Sequence, residues 1–333
     1  MSNPTLVTVV TPSYNQAAYL ENCIRSVLAQ NLSKENGFQV EYLVVDGGST
    51  DGSQDIIRRY EENLAWWVSE TDAGQAEAIN KGFLHSNGEI FAWLNSDDLY
   101  LPEAVAAAVK ALQEDQHLGM VYGNAIAIDQ HGNLLNRWNF GDWGLKDLMR
   151  FRVICQPAVF IRRSVLEKCG LLDTSYHFML DHLLWLQIAR ISTIKHIPKL
   201  WAAARMHPKA KNVSTPEQFG EETLRILGWM KTLPDLAPLV SENQLRIEAG
   251  AYRLKGRYLL DGGYPGAAFH AYGKALVRDP GYTLRHWHRM IFAVLDLLGA
   301  GWTARCYYQL KRKVRPVKIT IPGLDQWPGI HRE

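Results

Sequence analysis

The chain has 333 residues, enough for one large domain and a smaller one at about 100–200 residues each. Its 47% hydrophobic and 21% charged residues exclude a disordered or fibrous chain, and a net charge of +2 does not suggest a nucleic-acid binder. The charge is uneven: Thr283–Lys318 holds eight Lys/Arg against Asp296 alone, a local +7 that leaves −5 on the remainder.

Cys23, Cys155, Cys169 and Cys306 are scattered, without a C-x-x-C, in apolar or helical stretches. They suggest neither a disulfide framework nor a zinc site, which fits a reducing compartment. The start, Met-Ser-Asn-Pro, lacks the basic and apolar regions of a signal peptide, and no apolar run reaches the roughly 20 residues of a membrane span. The expectation is a cytoplasmic protein.

In chain order, a β-branched strand is predicted over Leu6–Thr11 and a helix over Ala17–Gln30, where Tyr19, Leu20, Cys23, Ile24, Val27 and Leu28 recur at helical spacing. Val40–Val45 reads as a strand buried on both faces, followed by the turn cluster Asp46-Gly-Gly-Ser-Thr-Asp-Gly52 and a helix over Ser53–Glu62. Next come a strand at Ala65–Ser69, a helix at Gly74–His85, a strand at Glu89–Leu94, a helix after Pro102 and a strand at Gly119–Gly123. This alternation predicts an α/β domain with a largely parallel sheet. A hairpin (Asn124–Ile128 with Leu134–Phe140), a strand at Ala158–Arg162, a helix at Asp181–Ser192 and a strand at Ile194–Arg205 complete a mixed sheet.

The polar segment His207–Gln218 marks the boundary, giving domains 1–216 and 217–333. The second reads as all-helical, with one hairpin over Tyr252–Pro280 of tetratricopeptide-like spacing and a basic tail. After it, Trp287, Met290, Ile291, Val294, Leu298 and Trp302 follow helical spacing, with Arg285, His288 and Arg289 gathered elsewhere. Such a helix either packs on its own protein or lies on a membrane surface, with Lys311, Arg312, Lys313 and Arg315 facing an anionic leaflet.

Open α/β sheets bind ligands at strand C-termini. Three such ends carry Thr11-Pro-Ser-Tyr-Asn15, Asp46-Gly-Gly-Ser49 and Asn95-Ser-Asp-Asp98. Adjacent carboxylates at a strand end repel unless a cation or donors neutralise them, and oxygen ligands suit Mg²⁺ or Mn²⁺ together with a diphosphate. Each piece alone fits a turn or a cap; the shared placement points to a site. Neither a Gly-x-Gly-x-x-Gly after the first strand nor a P-loop is present.

The runs VVTPSYNQAAYLENCIRSVLAQ, YLVVDGGSTDGS, ETDAGQAEAINKG and GEIFAWLNSDDLYLPEAV resemble glycosyltransferase family 2, an inverting family of GT-A fold, over roughly Leu6–Ser214. The resemblance implies a GT-A domain, a Rossmann-like and mostly parallel mixed sheet flanked by helices. It implies transfer of a sugar from a nucleotide-sugar donor, a UDP-sugar foremost, to a glycan or lipid-linked acceptor in surface or exopolysaccharide synthesis. By position, Thr11, Pro12, Tyr14 and Asp46 match nucleoside-holding residues and Asp72 an acidic donor-side residue. Asp97 matches a ribose contact and Asp98 a ligand of Mg²⁺ or Mn²⁺, in a D-x-D element whose first member is Ser96 here. Asp181 matches the catalytic base, with Leu180 in place of an acidic neighbour, and His207 a histidine completing the metal or diphosphate site. Gln156 is a candidate for the acceptor pocket or for a structural hydrogen bond. A nucleotidyltransferase and a silent GT-A scaffold docking through its helical tail are the competing readings. The first would want a basic Gly-rich loop after the first strand; the second, the loss of Asp98 or Asp181. The expected location is cytoplasmic, at the inner face of the membrane, with contact through residues 285–318.

Overall fold

The computed structural model describes residues 4–31, 37–208, 210–211, 215–303 and 306–307. It divides into two compact units. One combines the chain up to Gly144 with Ile154–Met206; the other combines Leu145–Val153 with described residues between His207 and Lys318.

The first unit is built on a nine-stranded sheet. Its main path runs β3 (Trp66–Ser69), β2 (Phe38–Asp46), β1 (Thr5–Ser13), β4 (Ile90–Trp93), β8 (Val159–Arg162), β6 (Leu118–Ile128), β9 (Thr193–Arg205), β5 (Leu99–Tyr100), and β7 (Leu134–Trp138) pairs with β6. The first four strands are parallel; β8 is antiparallel to both β4 and β6. Val7, Val9 and Val10 of central β1 are fully buried, as expected of a parallel strand covered on both faces. Helix α1 (Ala17–Leu28) buries Leu20, Cys23, Ile24 and Val27, one apolar stripe at helical spacing. Helices α2 (Ser53–Arg59), α3 (Gln75–Leu84) and α4 (Ala104–Glu114) connect the later strands, and α6 (Arg163–Cys169) and α7 (Leu180–Ile191) lead into β9.

One sequence expectation changes. The strand expected at Gly119–Gly123 and the hairpin arm at Asn124–Ile128 are a single eleven-residue strand, buried throughout. Its register with β9 shifts around Gly123, which lies against the Trp201 ring where a side chain would collide. The irregularity lets one strand serve β8 with its first half and β7 with its second.

The second unit is helical: α5 (Leu145–Met149), α8 (Pro216–Thr232), α9 (Ala237–Glu242), α10 (Gln244–Asp261), α11 (Pro265–Arg278), α12 (Pro280–Thr283) and α13 (Trp287–Leu297). Helices α10 and α11 form the hairpin over the Tyr252–Pro280 segment. Gly256 sits where a Cβ would come within 3.0 Å of the Tyr272 ring, so this close approach needs glycine. Glu248 pairs with Lys231 at 2.9 Å and Arg278 at 2.7 Å, tying α10 to α8 and α11.

Helix α13 buries Phe292 and Ala293, whereas Trp287, Ile291, Val294 and Leu298 are exposed at 57%, 46%, 39% and 76%. The apolar stripe read from the sequence is therefore not the packing face within this unit. Among the described residues no helix is long and apolar enough to cross a membrane. Lys311, Arg312, Lys313 and Arg315 lie outside the described residues.

Candidate active site at the strand ends

Strands β1, β2 and β3 end level with one another, with Ser13 opposite Asp46 and Asp46 opposite Ser69. Asp46 is fully buried and accepts three hydrogen bonds: Ser49 N–H at 2.8 Å, Ser49 Oγ–H at 2.6 Å and Ser69 Oγ–H at 2.6 Å. An ionised carboxylate has about four acceptor positions, so most of this one is spent holding its own loop. Gly47 follows because the Asp72 carboxylate comes within 2.9 Å of where its Cβ would be. Asp46 and Asp72 thus face each other across a bare backbone, and burial, with the charges of Glu77 and Asp46 adding to it, holds the Asp72 carboxyl above the usual range.

Thr11 turns its hydroxyl into the core, 3.0 Å from Tyr42 Oη and 3.7 Å from Cys23 Sγ. Pro12 is buried, and Tyr14 is 63% exposed at the rim. Two residues to which the sequence reading gave no role complete this wall. Asn15, with φ of 51°, donates its N–H to Ser49 Oγ at 2.7 Å and accepts the Thr50 N–H at 3.0 Å, stitching the first two strand-end loops together. Asparagine tolerates this left-handed backbone better than most residues, which is the signal a reader could have used. Ser13 Oγ is buried with no hydrogen-bond partner among the described residues.

The loop after β4 carries the paired carboxylates. Asp98 is 6% exposed, its N–H bonded to Asn95 O at 3.0 Å, while Asp97 is half-buried. Burial first, and then the charge of Asp97, raises the Asp98 carboxyl well above the usual carboxylate range. The Arg205 backbone N–H donates to Asp98 Oδ1 at 2.9 Å, and Arg205 Nε–H to the Asp97 carbonyl at 2.9 Å. Arg205 Nη1 also reaches the Asp129 carbonyl at 3.1 Å, and its guanidinium stands 4.9 Å from the Tyr19 ring centroid. It arrives here because β5, next after the loop, pairs antiparallel with the end of β9. Sequence reasoning passed over Arg205 as a positioning residue, since an arginine ending a strand has no local signature.

Asp181 lies in the first turn of α7, where Met179 is the N-cap residue. Its Oδ1 accepts the His182 N–H at 2.7 Å, and the side chain is half-buried. Trp185, one turn along, stacks on Trp93 at the end of β4 with ring centroids 5.3 Å apart. Just before the helix, His177 borders Gly74 at the start of α3. Both contacts bring the start of α7 to the edge formed by the strand ends. Gln156 is buried, its Nε2–H donating to the Trp93 carbonyl at 2.8 Å and its Oε1 without a partner among the described residues. His207 is buried and belongs to the helical unit.

A divalent cation fits the chemistry of this edge: the Asp98 carboxylate would supply an oxygen, and its charged form is costly without a partner. Among the described residues no three His, Cys, Asp or Glu side chains are grouped to hold a metal unaided, so further oxygens would come from a ligand.

Residues 8–170 match the family model described as glycosyl transferase family 2. That stretch of the chain belongs to glycosyltransferase family 2. Two relatives of the transferase extend the likeness, both named only as uncharacterized glycosyltransferases. One, of Rickettsia typhi, is 27% identical over 236 residues, 68% of this chain and 72% of its own. The other, of a Nostoc species, is 29% identical over 232 residues, 65% of this chain and 69% of its own. Among solved structures, S. aureus TarS residues 1–349 superposes with a TM-score of 0.58 at 17% identity, covering 95% of this chain and 94% of that one. The mannosyltransferase PcManGT of Pyrobaculum calidifontis, solved with GDP-Man and Mn²⁺, gives 0.58 at 20% identity, covering 90% and 88%. The transferase therefore has the GT-A fold, a mixed sheet flanked by helices, followed by a helical C-terminal region.

Proposed function

We propose that the chain transfers a sugar from a nucleoside-diphosphate donor to an acceptor hydroxyl, with inversion and with a divalent cation, in the making of a cell-surface or extracellular glycan. The observation that carries this reading is Asp98: a buried carboxylate kept well above its usual range, beside Asp97, on a loop pinned by Arg205. Nucleotide-sugar binding is supported by two fold relatives, PcManGT solved with GDP-Man and Mn²⁺ and TarS with UDP-GlcNAc. Tyr14, Pro12 and the Ser13 hydroxyl line the nucleoside side, with Thr11 and Asp46 bracing that wall and Asp72 bordering the donor. Asp97 holds ribose. Mg²⁺ or Mn²⁺ on Asp98 would neutralise charge on the leaving diphosphate. Asp181 takes the proton from the acceptor hydroxyl, whose oxygen attacks the anomeric carbon from the face opposite the diphosphate. The polar loop after His207, the candidate lid, lies partly outside the described residues.

The reading is tested with purified protein, Mn²⁺ and a panel of UDP-, GDP- and dTDP-sugars, following nucleotide release with and without EDTA. One donor should be turned over and EDTA should stop it. Full turnover in chelator, or release from none of the donors, would contradict it.

A second element of the proposal is peripheral attachment at the inner face of the membrane, motivated by the exposed Trp287, Ile291, Val294 and Leu298 stripe. Flotation with anionic liposomes at low and high salt tests it; protein that stays soluble at low salt contradicts it.

A further inference from the structure

The helical unit contains a cavity of about 330 Å³ whose lining includes Arg150, Arg152, Arg246, Arg285, Asp279 and Tyr282. Four arginines and one acidic residue, Asp279, are among the residues that line it. Asp279 meets Arg150 only at 3.8 Å and spends Oδ1 on capping α12 through the Tyr282 N–H at 3.0 Å. Arg246 and Arg285 are exposed and form no ion pair among the described residues, and Arg150 Nε is buried without a hydrogen-bond partner among them. The guanidinium carbons of Arg150 and Arg152 each stand 5.3 Å from the Tyr282 ring centroid, and that of buried Arg253 stands 5.8 Å away. An aromatic face is worth about 0.5–2 kcal/mol per cation. Nearby, burial first, and then the charges of Arg253 and Arg289, push His286 down to about 4.

The backbone is bent to make this cluster. Helix α5 ends with the Arg152 N–H bonded to Asp147 O and the Phe151 N–H to Leu148 O, both at 3.1 Å or less. This is a terminus of the kind that ordinarily ends on glycine in the left-handed region. Here Phe151 takes that conformation, with φ of 57°, at a cost of about 1–2 kcal/mol for a side-chain-bearing residue. The Phe151 ring is fully buried and its carbonyl accepts Arg253 Nη2–H at 2.9 Å. The strained turn sets the two flanking arginines, Arg150 and Arg152, against one cavity. An ordinary helix end does not need such a residue.

We infer that this cavity is a second anion site, on the helical unit, that takes a phosphate or diphosphate group. Converging arginine forks match phosphate oxygens in geometry and charge. The group has two possible bearers, a soluble phosphorylated glycan or the headgroup of a lipid-linked molecule. Assigning the bearer as the acceptor rests on the transferase reading; binding of the group does not.

The test uses the full chain in EDTA, which disables any metal-dependent diphosphate binding at the strand ends. Inorganic pyrophosphate is titrated calorimetrically at constant ionic strength set with chloride, and flotation is run in parallel with phosphatidylcholine vesicles with and without phosphatidic acid. Arg246→Ala and Arg285→Ala, both at exposed positions, should leave the melting temperature unchanged. Each should weaken binding about tenfold, the loss expected for one charge-assisted contact. Arg246→Lys should recover only part of the affinity, since a lysine keeps the charge and loses the fork. Pyrophosphate binding lost in the double variant supports a site for soluble phosphate. Capture by phosphatidic acid vesicles alone, lost in the same variant, supports a lipid phosphate. Binding in neither arm, or binding the double variant retains, overturns the inference.

Discussion

Two buried carboxylates, one in each unit, are held in opposite ways. In the helical unit, Glu248 is matched by Lys231 and Arg278 on neighbouring helices, and these partners hold its carboxyl down at about 2 despite the opposing effect of burial. At the strand ends, Asp98 is nearly fully buried beside another carboxylate and burial raises it well above its usual range, although Arg205 stands nearby. The first is a completed ion-pair network that fixes helices. The second is a charge problem left unresolved by the protein alone, and such places are where ligands and metals are taken. The difference separates scaffold from site without reference to any relative.

Four substitutions sharpen that contrast, taken from the largest expected effect to the smallest. Asp181→Asn keeps the shape of the side chain and removes a proton acceptor; kcat should fall by about 10²–10⁴ with donor binding nearly unchanged. A near-normal rate would reduce Asp181 to a helix-end residue. Next, Arg205→Ala removes the guanidinium that donates to the Asp97 and Asp129 carbonyls and leaves those acceptors unpartnered, costing about 1.5–3 kcal/mol in urea unfolding. A loss below about 1 kcal/mol would show that the loop holds itself.

Glu248→Ala should cost about 1–3 kcal/mol at neutral pH. Its folded pKa is depressed, so the contribution is present above the unfolded carboxylate value and fades as pH falls toward about 2. The gap between variant and parent should therefore close in acid; a gap that persists there would mean that packing, not charge, is lost. Smallest is Ile291→Ser on the exposed stripe of α13, expected to change stability by less than about 0.5 kcal/mol while lowering liposome capture. A large destabilisation would make that stripe a packing surface.

The sequence carried most of the sheet because its buried parallel strands are continuous apolar runs, as in Val40–Val45, and its helices show clear apolar stripes, as in α1. What it could not carry was partner choice. Leu118–Ile128 reads as two strands because Gly123 interrupts it, and only the Trp201 ring pressing on that glycine explains the continuity. The acidic residues at the strand ends were legible because turn clusters mark where strands stop. The supports were not: Arg205 lies over a hundred residues from the loop it pins, and nothing local announces that Ser13 Oγ lacks a partner among the described residues. The arginine cavity was hidden for the same reason, since Arg150 and Arg246 come together only through tertiary packing. A helix was legible around Trp287–Trp302; which face it buries was not, because Leu259, Ala268 and Ala271, which cluster with Ala293, lie on other helices.

The central claim is that Asp98 needs a cation, and its titration makes that measurable. Because its folded pKa is raised, the metal-free protein gains stability while Asp98 is protonated and loses it as pH rises through the folded value. A cation must displace that proton, so it binds better at higher pH. The direct measurement is calorimetric titration of Mn²⁺ with UDP into wild type and Asp98→Asn at pH 6 and pH 8. The account predicts tighter metal-dependent binding at pH 8 in the wild type, with both the metal requirement and the pH difference lost in the variant. Nucleotide binding that needs no metal, or that Asp98→Asn leaves unchanged at both pH values, would contradict it.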